Sequence, residues 1–396
     1  MRKLWHITTI CIAIGMLWGP LVAQAQKQSK LPDIIRIWTY GTGSTGYYSA
    51  MGIAGTATNI LGVDVRSMGA PTDITRYDAL RKGMGEFVLI SSISYWLASR
   101  GYLDYADPAN WGPQRLRLVY GGQNFHMGVM THADSGIKTM SDLKGKRFPY
   151  APGNPVGNRF NLAFLRFGNL TWDDVKKINF ASWSDCMRSV VKGDCDAAGT
   201  TLTTAAARET AASPRGIYVI PMPFEDKEGW KRVRDECPVI QQHYATRGAG
   251  ASPQKPVPNV SYKQPFACYD KLSDDVAYAF VKALWEGYED FKGKTADLID
   301  WDHNCTLGKG HLEQYSIPLH EGAIRFFKEK GLWTERTEKW QQERLMIESK
   351  VHTLWAIAPE IAKREGISVG QKGWDEWWEK YCRSELAKLE LKYAYP

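Results

Sequence analysis

Apolar and polar positions alternate with a period of two from Ile34, with Ile35, Ile37 and Thr39 on one face and Arg36 and Trp38 on the other. That period predicts a strand. It breaks at Gly41 into GTGSTG (Gly41–Gly46). Ala50, Ile53, Ala54 and Ala57 then recur at helical spacing. Strand, Gly-rich turn and helix N-terminus together form an anion-sized nest, because free backbone N–H groups and the helix dipole favour negative charge there.

The same switch of period repeats downstream. GVDVRS (Gly62–Ser67) reads as a strand, and Pro71-Thr72-Asp73 opens a helix carrying Ile74, Tyr77 and Leu80. FVLISS (Phe87–Ser92) reads as a buried strand, SYWLASRG as a helix and LRLVY (Leu116–Tyr120) as a further strand. The alternation predicts an α/β fold with a largely parallel sheet and ligands at the carboxyl ends of its strands. From Gly121 the rhythm restarts, so that 124–260 forms a second α/β lobe inserted into the first, 26–123. Asn158 is the expected cap of a helix with Phe160, Ala163, Phe164 and Phe167 on its apolar face. A Pro/Gly-rich loop, GAGASPQKPVP, precedes an extended return, 261–333 completes the first lobe, and a Trp-rich helical extension fills 334–396.

The first 25 residues change this picture. Arg2 and Lys3, an apolar run from Ile7 to Val22 and the Ala23-Gln24-Ala25 exit predict a signal peptide cleaved after Ala25 and an exported, periplasmic protein. Two of the seven excess positive charges belong to that leader, and the remainder are mixed with acids, which gives no nucleic-acid footprint. Removing Cys11 leaves six cysteines. An even count in an oxidising compartment admits disulfides, Cys186–Cys195 first, or buried thiols.

Five stretches in order resemble one family: GTGSTGYY, RYDALRKGMGEFVLISS, SGIKTMSDLKGKR, KGDCDAAGTT and IPLHEGAIRFFKEKGLW. They are similar to the TAXI branch of the solute-binding proteins of TRAP transporters, over about residues 34–333. The resemblance implies a two-lobed type II periplasmic-binding fold and no enzymatic activity. It implies a receptor that closes on a small organic anion, a carboxylate or amino acid, and delivers it to TRAP membrane subunits. The chain departs from the family pattern in its short T-G-Y-Y turn, in Gly153–Asn158, in a longer segment at 224–258 and in the extension beyond Thr334.

Candidate binding residues follow from these positions. Ser44 and Thr45 sit in the nest, and Tyr47 and Tyr48 offer phenol donors or a stacking wall. Ser91 and Ser92 end the buried strand, while Gln123 lies at the first crossing beside Asn124. Asn154, Asn158 and Arg159 replace the family's second-lobe loop, with Arg159 as the cation for a bidentate carboxylate contact. Thr200 and Thr201 end the DCDAAGTT strand. Each has a structural alternative as cap, turn or core residue. No catalytic signature, metal or cofactor is expected. GTGSTG matches a dinucleotide fingerprint, but its acid would be Asp64, placed inside a strand. Asp302, His303, Cys305 and His311 have no common zinc spacing. A periplasmic sensor for a signalling partner, or an enzyme on the same fold, are the rival classes.

Overall fold

The computed structural model describes residues 31–308 and 310–391. The leader with Cys11 therefore lies outside the described residues. The first lobe runs β1 (Ile34–Tyr40), α1 (Thr45–Leu61), β2 (Asp64–Ala70), α2 (Asp73–Arg81), β3 (Phe87–Leu89), α3 (Ser92–Arg100) and β4 (Leu116–Asn124). The second holds β5 (Met127–His132), β6 (Arg147–Tyr150), α4 (Pro155–Phe167), β7 (Lys176–Asn179), α5 (Trp183–Arg188), β8 (Ala197–Thr201) and α6 (Ala205–Ala212). It continues with β9 (Ile217–Ile220), α7 (Lys227–Glu236), β10 (Gln241–Ala245) and β11 (Val257–Ser261). The chain then returns through β12 (Lys263–Tyr269), α8 (Asp274–Glu286), α9 (Tyr288–Phe291) and α10 (Glu321–Glu329). Two further helices, α11 (Glu335–Arg364) and α12 (Trp374–Leu386), form the C-terminal extension.

Each lobe is built on one five-stranded sheet, and the second lobe adds a parallel pair, β6-β7. The first has the order β2-β1-β3-β12-β4. β1, β2 and β3 pair parallel and β4 shares their direction, whereas β12 arrives from the opposite direction and pairs antiparallel with both β3 and β4. In the second sheet β5 is central and antiparallel to β8, β9 and β11. The expected largely parallel sheet is thus mixed: strands that enter from the far lobe cannot keep the βαβ direction. The fold is α/β and two-lobed, with a helical C-terminal extension.

The chain crosses between the sheets twice, from β4 to β5 through Phe125 and His126, and from β11 to β12 through Tyr262. The crossings touch. Phe125 N–H donates to Tyr262 O at 3.1 Å, and their rings stack at 5.1 Å. Gly122 makes this approach possible, since a Cβ there would lie 1.7 Å from Gln264 O.

Short-range signals set the element ends. Ser44 caps α1 and Gly62, in the left-handed region, ends it; Thr72 and Thr75 form a capping box on α2. Asn154, not Asn158, caps α4, because Pro155 takes the first helical position and starts the helix early. Phe160, Ala163, Phe164 and Phe167 are buried as their spacing requires. All six cysteines outside the leader are buried free thiols, so the Cys186–Cys195 disulfide does not form. Burial pushes the Cys186 thiol up to about 12 and Cys195 to about 11.

Candidate functional site

Two small cavities lie where the lobes meet, each of about 20 Å³, and both are walled by Tyr40, Trp183 and Tyr262. Tyr40 ends β1, Trp183 opens α5 and Tyr262 belongs to a crossing, so both lobes and the joint between them reach one spot. One cavity adds Ser44, Thr45, Gly46, Thr201 and Gln264. The other adds Asp73, Asn154, Val156 and Phe160.

The nest forms as its sequence predicts. Ser44 Oγ accepts from Tyr47 N–H at 3.2 Å and donates to Gly41 O at 2.8 Å, which holds the turn. The first-turn amides of α1 have no intrahelical partner by helix geometry. Thr45 Oγ1 lies 3.3 Å from Thr203 Oγ1 of the second lobe, and Thr203 donates to Asp297 Oδ2 at 2.7 Å. Gly46 is obligatory here, since a Cβ would approach Tyr40 Cδ2 to 2.7 Å and Gln264 Nε2 to 2.9 Å.

Behind Tyr40 stands a charged pair, Asp73 and Arg76. Arg76 is 2% exposed and Asp73 fully buried; they are paired, with Arg76 donating to Ala70 O at 3.1 Å and lying 4.2 Å over the Tyr40 ring. Ser94 Oγ donates to Asp73 Oδ1 at 3.2 Å. Asp73 Oδ2 and Arg76 Nε have no hydrogen-bond partner. Burial works against the charge of Arg76, but Asp73 and Tyr40 outweigh it and hold its pKa above the usual value. Burial raises the Tyr40 phenol, against the pull of Arg76, so it stays a neutral donor and acceptor. The signal in the sequence was Asp73-x-x-Arg76 directly after β2, an ordinary helical i,i+3 pair. Trp183, Tyr262 and Gln264 carried no pattern of their own.

The other predicted residues divide. Ser91 caps α3 and its N–H donates to Tyr40 O–H at 3.0 Å, while Ser92 Oγ is buried without a hydrogen-bond partner. Thr201 donates to Met127 Sδ at 2.9 Å, and Thr200 is turned toward Thr204 and the Thr201 carbonyl. Gln123 sits in β4 opposite Gln264. Tyr47 and Tyr48 pack edge to face at 5.7 Å, and Tyr48 is exposed beside Thr203 and Arg208 rather than in either small cavity. Asn158 bonds back to Ala151 N and O at 3.0 and 2.8 Å. Arg159 lines neither of the two small cavities; with Asn158 it lines a larger one, of about 700 Å³, bounded also by Asp104 of the first lobe, Tyr150 of the second and Asp375 of α12. Arg159 is 8% exposed and engages Glu236 at 2.7 Å and Glu379 of α12 at 2.5 Å.

Asp64 stands at the start of β2, at the end of the sheet opposite the Gly-rich turn, where it pairs with Arg66. A dinucleotide ribose spanning from the nest would not meet it. His303 stacks on Trp285 at 3.8 Å, and among the described residues no group of three or more His, Cys, Asp or Glu is placed to hold a metal. No helix among the described residues is long and apolar enough to cross a membrane.

Solved structures with similar folds include a substrate-binding protein of an amino acid ABC transporter (15% identity, 68% of this chain and 98% of that one, TM-score 0.40). PhnD1 from Prochlorococcus marinus in complex with methylphosphonate is another (12%, 64% and 82%, TM-score 0.41). A mutant of ArgBP from T. maritima is a third (14%, 68% and 95%, TM-score 0.42). The profile of the NMT1-like family matches residues 37–331, both sheets and the crossings included. The chain belongs to the NMT1-like family.

Proposed function

We propose that this protein is an extracytoplasmic solute receptor of the TAXI type, which closes its lobes on a small organic anion and presents it to a TRAP-type permease. The lobes would be 26–123 with 261–333, and 124–260, with 334–396 attached. The observation that carries the reading is the convergence of Ser44 and Thr45 from one lobe, Asn154, Trp183 and Thr201 from the other, and Tyr262 from the crossing on one spot. The five family-like motifs and the matched range 37–331 cover the same part of the chain. Donors at the nest suit a carboxylate, and Asp73 suits an ammonium, so organic acids and amino acids both fit the chemistry. Binding, not turnover, is the activity of this reading, and export through the leader would place it in the periplasm.

Thermal-shift and Trp183-centred fluorescence screening against organic acids, amino acids and sulfonates tests it. At least one should raise the melting temperature, and Thr45→Val or Thr201→Val should weaken that compound about tenfold. If no compound in these classes shifts melting, the receptor reading fails. Reconstituted uptake with a TRAP-type permease encoded beside it tests the partner.

A further inference from the structure

The C-terminal extension lies beyond the family match, yet α12 touches both lobes. On the first, Trp374 Nε1 donates to Ala106 O at 2.6 Å and Trp378 Nε1 to Arg100 O at 3.0 Å. Both tryptophans are buried, and Trp355 of α11 packs against them at 5.6 and 4.9 Å. On the second lobe, Glu379 receives two bonds from Arg159, at 3.2 and 2.5 Å. Arg383 donates to the carbonyls of Asp235 and Glu236 at 2.8 and 3.3 Å and pairs with Glu379 at 2.7 Å. Arg159 belongs to α4, whose neighbouring residues Val156, Gly157 and Phe160 wall the interlobe cavity.

The cluster sits in the wall of a cavity that also reaches the first lobe. This cavity, of about 700 Å³, separates Asp104 of the first lobe, Tyr150 and Trp172 of the second and Asp375 of α12. The grip of α12 on the second lobe runs through the Arg159–Glu379–Arg383 cluster.

We propose that α12 is a clasp that holds the second lobe against the first, and that the Arg159–Glu379 pair must part for the cleft to open. Its consequence for ligand exchange rests on the receptor reading; the clasp itself does not. Arg159 is then a positioning residue for the α4 turn at the cavity.

The test uses the full chain without ligand. Small-angle X-ray scattering and amide hydrogen exchange are compared for the wild type, R159Q, E379Q and E376Q, the last an exposed position on the same helix. R159Q and E379Q should populate a more extended form. Exchange in the first turn of α4 should quicken about tenfold, with β5 and β8 unchanged. E376Q should match the wild type. Scattering and exchange equal to wild type in both R159Q and E379Q overturn the clasp. Should E379Q not fold, Glu379→Asp serves in its place, with a smaller acceleration expected and an unchanged rate overturning the proposal. Failure here leaves the receptor reading intact, and a receptor that binds no anion leaves the clasp intact.

Discussion

Two buried arginines, Arg76 and Arg159, are each held by carboxylates, yet they do different work. Arg76 finds Asp73 three residues away, inside one helix, and the pair keeps unpartnered atoms beside the cavity. Arg159 is satisfied by Glu236 and by Glu379, 220 residues along the chain, and joins separate bodies. A local pair can be built into a wall before the lobes meet. A distant pair exists only once they have met. Charge and burial alone do not separate the two roles; the chain distance of the partner does.

The largest effect comes from breaking the local pair. R76M leaves the Asp73 carboxylate buried without its cation, and urea unfolding should show a loss of about 3–5 kcal/mol. R76M/D73N should recover much of that stability, which would mark the pair as a unit whose charge serves something other than the fold. No recovery would make Arg76 a structural residue and remove the contrast with Arg159.

R159Q should cost less, about 1–3 kcal/mol in the same measurement, because Glu236 and Glu379 keep some access to water (16% and 13%). A loss as large as that of R76M would mean that the extension is integral to folding of the lobes. Smaller again is Thr203→Val, which removes the Thr45–Thr203–Asp297 bridge between the lobes and should cost about 0.5–1.5 kcal/mol.

A third arginine, which like Arg159 joins separate bodies, sharpens the comparison through pH. Arg247 of the second lobe donates to Asp300 at 2.6 Å and to His126 Nε2 at 3.0 Å. Burial, then Arg247 and His243, lower the His126 pKa from 6.5 to about 3. The unfolded chain therefore takes up a proton that the native state refuses. Stability should fall as pH drops from about 6.5 toward about 3, and be unaffected by this group above 6.5. Urea midpoints from pH 7 to 4 should fall less steeply in H126Q; equal slopes would remove His126 from the account.

Much of this was readable along the chain. Periodicity placed β1, its Gly-rich turn and α1, and MGVMTH coincides with β5 residue for residue. These elements are fixed by local steric preference and by which face is buried. Direction within the sheets was not readable, because β12 owes its antiparallel course to a crossing that no local pattern encodes. The turn capped by Ser44 is legible in the sequence because a nest is a local backbone shape. The position of Arg159 near a helix start is local too, while its partner Glu379, 220 residues away, is invisible at that range. The burial of Asp73 and Arg76 is illegible for the opposite reason: an i,i+3 ion pair has the same spelling on a wet surface as in a sealed wall.

Phe125 and Tyr262 are at once the stacked joint between the lobes and part of the wall, Tyr262 in both cavities and Phe125 in one. A rotation about the joint therefore deforms the wall directly, with no lever or relay between them. Under the proposed receptor reading, occupancy and interlobe angle would be a single coordinate: a substitution that stiffens the joint would retune selectivity, and a bulkier guest would set its own degree of closure.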